Sequence, residues 1–129
     1  MFLKFFLMLS FIYSFSYADT FLDKERLQAS KEKKLILLSI SSEHCPYCIK
    51  MKKNIFDNVA YIQKITQSYV HVTIMNDDPR LLKSLHVKYL PTQYILSPKD
   101  LKIIDEFAGY MEPNHFIELL EEVYHQEIK

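Results

Sequence analysis

The chain has 129 residues, with 16 basic and 16 acidic side chains and no formal net charge. That is one domain's worth of sequence, without a field to draw in nucleic acid or an anionic membrane. Hydrophobic residues make up 49 % and charged residues 25 %, the balance of a folded globular protein rather than a disordered one; a lone glycine, Gly109, excludes a glycine-rich phosphate cradle.

Residues 1–18 have the layout of a secretory signal peptide: Lys4 near the start, an apolar run over 5–17, and Ser16-Tyr17-Ala18 before a cut after Ala18. The run is shorter than the roughly 20 residues that span a bilayer, which favours cleavage over a retained anchor. A domain over residues 19–129 then works outside the cytoplasm, in the periplasm if the source is Gram-negative, where a disulfide can form and persist.

Residues 20–34 read as a helix with a patchy stripe of Phe21, Leu22, Leu27 and Ala29 and a lysine-rich end suited to the helix dipole. The run 35–40, Leu-Ile-Leu-Leu-Ser-Ile, reads as a strand covered on both faces, as parallel sheets require. Cys45 opens a second helix with Pro46 in its first turn, and helix is expected to continue to about Gln67. Met51, Ile55 and Phe56 fall at core spacing, while Lys50 and Lys52 are solvated charges.

Residues 69–74 alternate and are rich in β-branched side chains, the mark of a strand. Asn76-Asp77-Asp78 lacks the spacing of a calcium loop and reads as a turn that caps a short helix over 80–86. Strands follow at 92–96 and 102–107 around a hairpin turn at 97–100, and a last helix begins near Pro113. The order implies an α/β domain with parallel pairing by crossovers and a closing antiparallel hairpin.

The chemistry concentrates at Cys45-Pro46-Tyr47-Cys48, directly after the buried strand and at a helix start. There, unpaired N–H groups and the helix dipole stabilise a thiolate on the first sulfur, and the second can attack a mixed disulfide formed by the first. Cys45 is the candidate nucleophile and Cys48 the resolving thiol. A purely stabilising bridge across so short a loop gains little, and a zinc site lacks a second cysteine pair. No metal and no bound cofactor is expected, because the electrons reside in the cysteines.

This stretch, from Leu35 to Met51, resembles the active-site segment of the thioredoxin superfamily, and Pro46-Tyr47 resembles the inner dipeptide of glutaredoxins. Val87-Lys88-Tyr89-Leu90-Pro91-Thr92 is similar to the loop that carries that family's cis-proline, and Gly109-Tyr110 matches a further family feature. The resemblance implies a thioredoxin-like fold: a central mixed four-stranded sheet flanked by helices, plus the N-terminal helix. It also implies that Pro91 is cis and that Leu90 pairs through its backbone with a bound substrate segment; an ordinary trans proline is the alternative. Tyr47, in the exposed turn, is a candidate partner contact. The family's usual buried acid is replaced here by Ser39, and the aromatic residue that usually precedes the first cysteine by His44. A protonated His44 favours the Cys45 thiolate and Glu43 opposes it; a solvated loop histidine of small effect is the other reading of His44.

The function expected is that of an exported thiol–disulfide oxidoreductase, a reductase rather than an oxidase. Its partners would be protein thiol or disulfide substrates and a recycling redox protein, membrane-bound in one version, with no nucleic acid. The rivals are a soft-metal module that delivers copper from a thioredoxin scaffold and an inert structural disulfide.

Overall fold

The computed structural model describes residues 20–129, so the signal-peptide expectation for residues 1–18 lies outside the described residues. Helix α1 (Asp23–Glu32) is followed by β1 (Leu35–Ser41), α2 (Pro46–Met51), a π-helical turn (Lys52–Phe56), α3 (Val59–Ser68), β2 (Tyr69–Met75), β3 (Thr92–Leu96), β4 (Ile103–Ala108) and α4 (Pro113–Glu127). The strands form one sheet in the order β2-β1-β3-β4.

The apolar run of β1 does what its composition dictates: residues 35–40 are all buried, because β1 is interior and covered on both sides. Alternation divides its side chains between two cores. Leu35 and Leu37 join Met51, Ile55, Ile65, Phe116, Ile117 and Leu120 on the side of α2, α3 and α4. Ile36, Leu38 and Ile40 join Leu22, Ala29, Val70, Ile74 and Leu85 on the side of α1. Helix α1 buries only part of its expected stripe, since Leu27 is 75 % exposed. It is held instead by Arg26, whose guanidinium donates to the carbonyls of Pro98 (3.1 Å) and Lys99 (2.7 Å) in the β3–β4 turn.

Three expectations need correction. The helix expected from Cys45 to about Gln67 is two helices, because Asn58 ends the first run and caps the second: its side chain accepts from the amides of Ala60 (3.0 Å) and Tyr61 (3.4 Å). Asparagine competes for backbone amides inside a helix and favours the cap. Residues 80–86 form turns, not a helix. The Asp78 carboxylate accepts from the Arg80 amide at 2.9 Å and from its guanidinium at 2.7 Å, and a piece of seven residues is too short to sustain itself. Buried Leu85 fixes the segment to the core.

Strand pairing is the third correction. Only β1 and β2 are parallel, while β1–β3 and β3–β4 are antiparallel. A parallel neighbour needs a crossover, usually helical, and the connection from β2 to β3 supplies only turns.

Candidate active site

Cys45 takes the N-cap position of α2 with extended backbone (φ −102°, ψ 111°), and its Sγ accepts a hydrogen bond from the Cys48 amide at 3.2 Å. Pro46 occupies the first helical turn, where a missing N–H leaves no bond unmade. The two cysteines are joined as a disulfide with 5.2 Å between their Cα atoms. They are not equivalent: Cys45 is half-buried, whereas Cys48 is 4 % exposed. An amide aimed at a sulfur favours its thiolate, and that donor serves the more accessible of the two.

Other candidate residues distribute unevenly around the pair. Tyr47 is 61 % exposed and stands 6.5 Å from the ring of Tyr110. Lys50, expected to be merely solvated, lies 4.4 Å over that same ring, a cation–π contact, and Asn54 donates to the Tyr110 hydroxyl at 3.1 Å. The peptide between Leu90 and Pro91 is cis. Leu90 packs half-buried against the α1-side core, while Pro91 is buried and lines the same cavity as Cys48. The Pro91 carbonyl accepts the Gly109 amide at 2.7 Å, and Gly109 has a φ of +86°. Glu43 and His44 are exposed in the loop before Cys45, with the His44 amide 3.4 Å from the Ser42 hydroxyl.

That cavity, about 410 Å³, runs from Cys48 and Pro91 to Ser39, His71 and Gln93 on the sheet. Ser39 and Gln93 face one another across β1 and β3, and their side chains are joined by a hydrogen bond from the Ser39 hydroxyl to Gln93 Oε1. The ring of His71, on β2, reaches Ser39 Oγ through Nε2 at 2.8 Å and stacks on Phe56 with centroids 4.2 Å apart. Gln93 Nε2 donates in turn to Met51 Sδ at 3.5 Å. Burial lowers the His71 pKa from 6.5 to about 4, so its ring is neutral across the ordinary pH range.

Sequence reasoning singled out Ser39 as a departure and passed over His71 and Gln93. The available signal was alternation in β2, which places Tyr69, His71 and Thr73 on the face opposite Val70, Val72 and Ile74. Among the described residues, no group of three or more His, Cys, Asp or Glu side chains is placed to hold a metal ion, so the copper-delivery alternative gains no support. No helix among them is long and apolar enough to cross a membrane.

Residues 22–124 match the family model described as a thioredoxin-like domain, and no curated protein matches the sequence. A thioredoxin from Thermus thermophilus is similar in structure, with a TM-score of 0.67 at 22 % identity over 78 % of this chain and 81 % of that one. The periplasmic thioredoxin SoxS from Paracoccus pantotrophus gives 0.59 at 19 % identity, over 73 % and 99 % of the two chains. The oxidised C-terminal domain of DsbD from Neisseria meningitidis gives 0.60 at 16 %, over 77 % and 89 %. At such identities the likeness is one of fold.

Proposed function

Because the chain belongs to the thioredoxin-like family, we propose that it is an exported thiol–disulfide oxidoreductase that reduces disulfides in protein substrates through Cys45 and Cys48. The observation that carries this reading is the asymmetry of the pair: an amide directed at the accessible sulfur, and a second sulfur held buried behind it. The Cys45 thiolate attacks one sulfur of a substrate disulfide, and the other sulfur leaves as a thiolate that takes up a proton. Cys48 loses its proton and attacks Cys45 Sγ, forming the Cys45–Cys48 disulfide and releasing the second substrate sulfur as a thiol. Two electrons pass from the pair to the substrate, and a dithiol partner resets the enzyme.

The substrate segment is read as lying extended beside Leu90 and Pro91, with Tyr47 as a further contact. Glu43 and a protonated His44 would act on the Cys45 thiolate in opposite senses. The reductive direction is supported by the β2–β3 connection, which is built of turns and carries no inserted helical domain. Export is supported by the character of residues 1–18 and by the likeness to a protein described as a periplasmic thioredoxin.

The test is reduction of insulin-type disulfides by the dithiol-charged protein, alongside Cys45→Ser and Cys48→Ser. Activity in the unaltered protein, its loss in both variants, and mixed disulfides accumulating on Cys45 in C48S are expected. A protein inactive toward every disulfide offered, with a Cys45 that titrates like a free thiol, would refute the reading. Mass spectrometry of the exported product tests processing, with Asp19 expected at its N-terminus.

A further inference from the structure

Resolution of a mixed disulfide requires a proton to leave Cys48, the buried member of the pair. This inference therefore rests on the exchange reaction proposed above. Among the described residues that line the cavity beneath the cysteines, the titratable side chains are Cys48, Lys52, Asp57 and His71. Lys52 and Asp57 form an ion pair at 2.7 Å and are 69 % and 55 % exposed, so they spend their charges on one another in solvent. His71 is held by Phe56 stacked on its ring and by Ser39 on β1.

The hydrogen-bond pattern assigns the imidazole's tautomer. A hydroxyl carries one proton, and that of Ser39 is directed to Gln93 Oε1. Ser39 Oγ must then accept from His71 Nε2–H. The lone pair falls on Nδ1. No side-chain nitrogen or oxygen among the described residues is both sealed from solvent and without a partner, so Nδ1, which has no protein hydrogen bond, keeps contact with solvent space. The cavity of about 410 Å³ has room for several waters at roughly 30 Å³ each.

We propose that His71 accepts the proton of Cys48 through water in this cavity, with Ser39 and Gln93 holding the ring so that Nδ1 is its free base. The Cys48 S–H bond breaks and its proton passes by way of water to Nδ1. The thiolate attacks Cys45 Sγ, the Cys45–Cys48 bond forms, and the bond from Cys45 to the substrate sulfur breaks. That sulfur leaves with the electron pair and takes a proton from solvent, while the imidazolium returns one to solvent. Transfer creates an anion and a cation in one cavity, and their attraction acts against the weak basicity that burial imposes on the ring. No substrate group is touched by His71, which acts only on the resolving step.

The experiment mixes the reduced full chain with an aryl disulfide, dithiobis(nitrobenzoate), and follows its coloured thiolate. Attack by Cys45 releases the first equivalent and resolution by Cys48 the second, so the two steps are read separately in one trace. In His71→Gln the first release is expected at the unaltered rate and the second about 100-fold slower near neutral pH, the usual scale of a positioned base. The deficit should narrow as pH rises and hydroxide takes over as the proton acceptor. In the unaltered protein the second release should be level from about pH 5 to 8, above the ionisation of His71, a measurement that needs no variant to fold.

A second release that falls tenfold per pH unit across that range would overturn the proposal. So would equal slowing of both releases in H71Q at every pH, or an equal defect in Asp57→Asn, which would move the acceptor to the exposed carboxylate. A first release absent from the unaltered protein would remove the exchange reading itself, and His71's part with it.

Discussion

The two faces of the sheet are made from the same strands and end in different chemistry. On the α1 side, Ile36, Leu38, Ile40, Val70, Ile74, Tyr94 and Leu96 form a continuous apolar layer, with Thr92 at its edge donating to the Tyr89 carbonyl. The other side begins alike with Leu35, Leu37, Tyr69 and Ile95. One alternate position along each strand, it turns polar at Ser39, His71 and Gln93, beside Cys48. Buried polar groups are costly unless paired; here each finds a partner. One face is filled for stability, and the other gives up part of its apolar packing where the cysteines meet it.

The largest test of that contrast is Leu38→Ala. It empties a site of 0 % exposure and is expected to lower stability by about 3 kcal/mol in urea denaturation, with both thiol-release rates unchanged in the folded protein. Next is acid. His71 has a folded pKa of about 4 against 6.5 when unfolded, so between those values the unfolded chain binds more protons and stability rises with pH. Acidification from neutrality to about pH 4 should therefore remove up to roughly 3 kcal/mol, an acid limb that His71→Gln removes from the stability–pH curve.

Ser39→Ala leaves the His71 Nε2–H and Gln93 Oε1 without their shared partner and should lower stability by about 1.5 kcal/mol. A loss as large as that of L38A would erase the distinction between the faces. Smallest is Asn58→Ala, which removes the cap of α3 for about 1 kcal/mol in thermal or urea unfolding and leaves the Cys45 reaction untouched.

The two faces also differ in how legible they were. The apolar layer follows from the run 35–40 and the alternation of 69–74, because period-two burial is written locally. Cys45 and its helix were likewise local, a spacing and a flanking strand. The polar row was not: Ser39 meets Gln93 only through the antiparallel register of β1 with β3, and that register depends on a long connection of turns. Residues 80–86 misled for a related reason, since Asp78 and Arg80 form a local pair that competes with helix, a contest that periodicity does not record. Asn58 carried its own signal as a capping residue, hidden inside an otherwise helical pattern.

Gly109 holds the Pro91 carbonyl from a backbone with φ of +86°. A Cβ built there would meet nothing within 4 Å. The demand at this position is thus one of handedness and not of room: an L-alanine is resisted by its own backbone at about 1 kcal/mol, whereas the mirror-image residue favours a positive φ. A chain made by chemical ligation with D-alanine at 109 should keep the Pro91 contact, and with it the wall of the cavity beside Cys48.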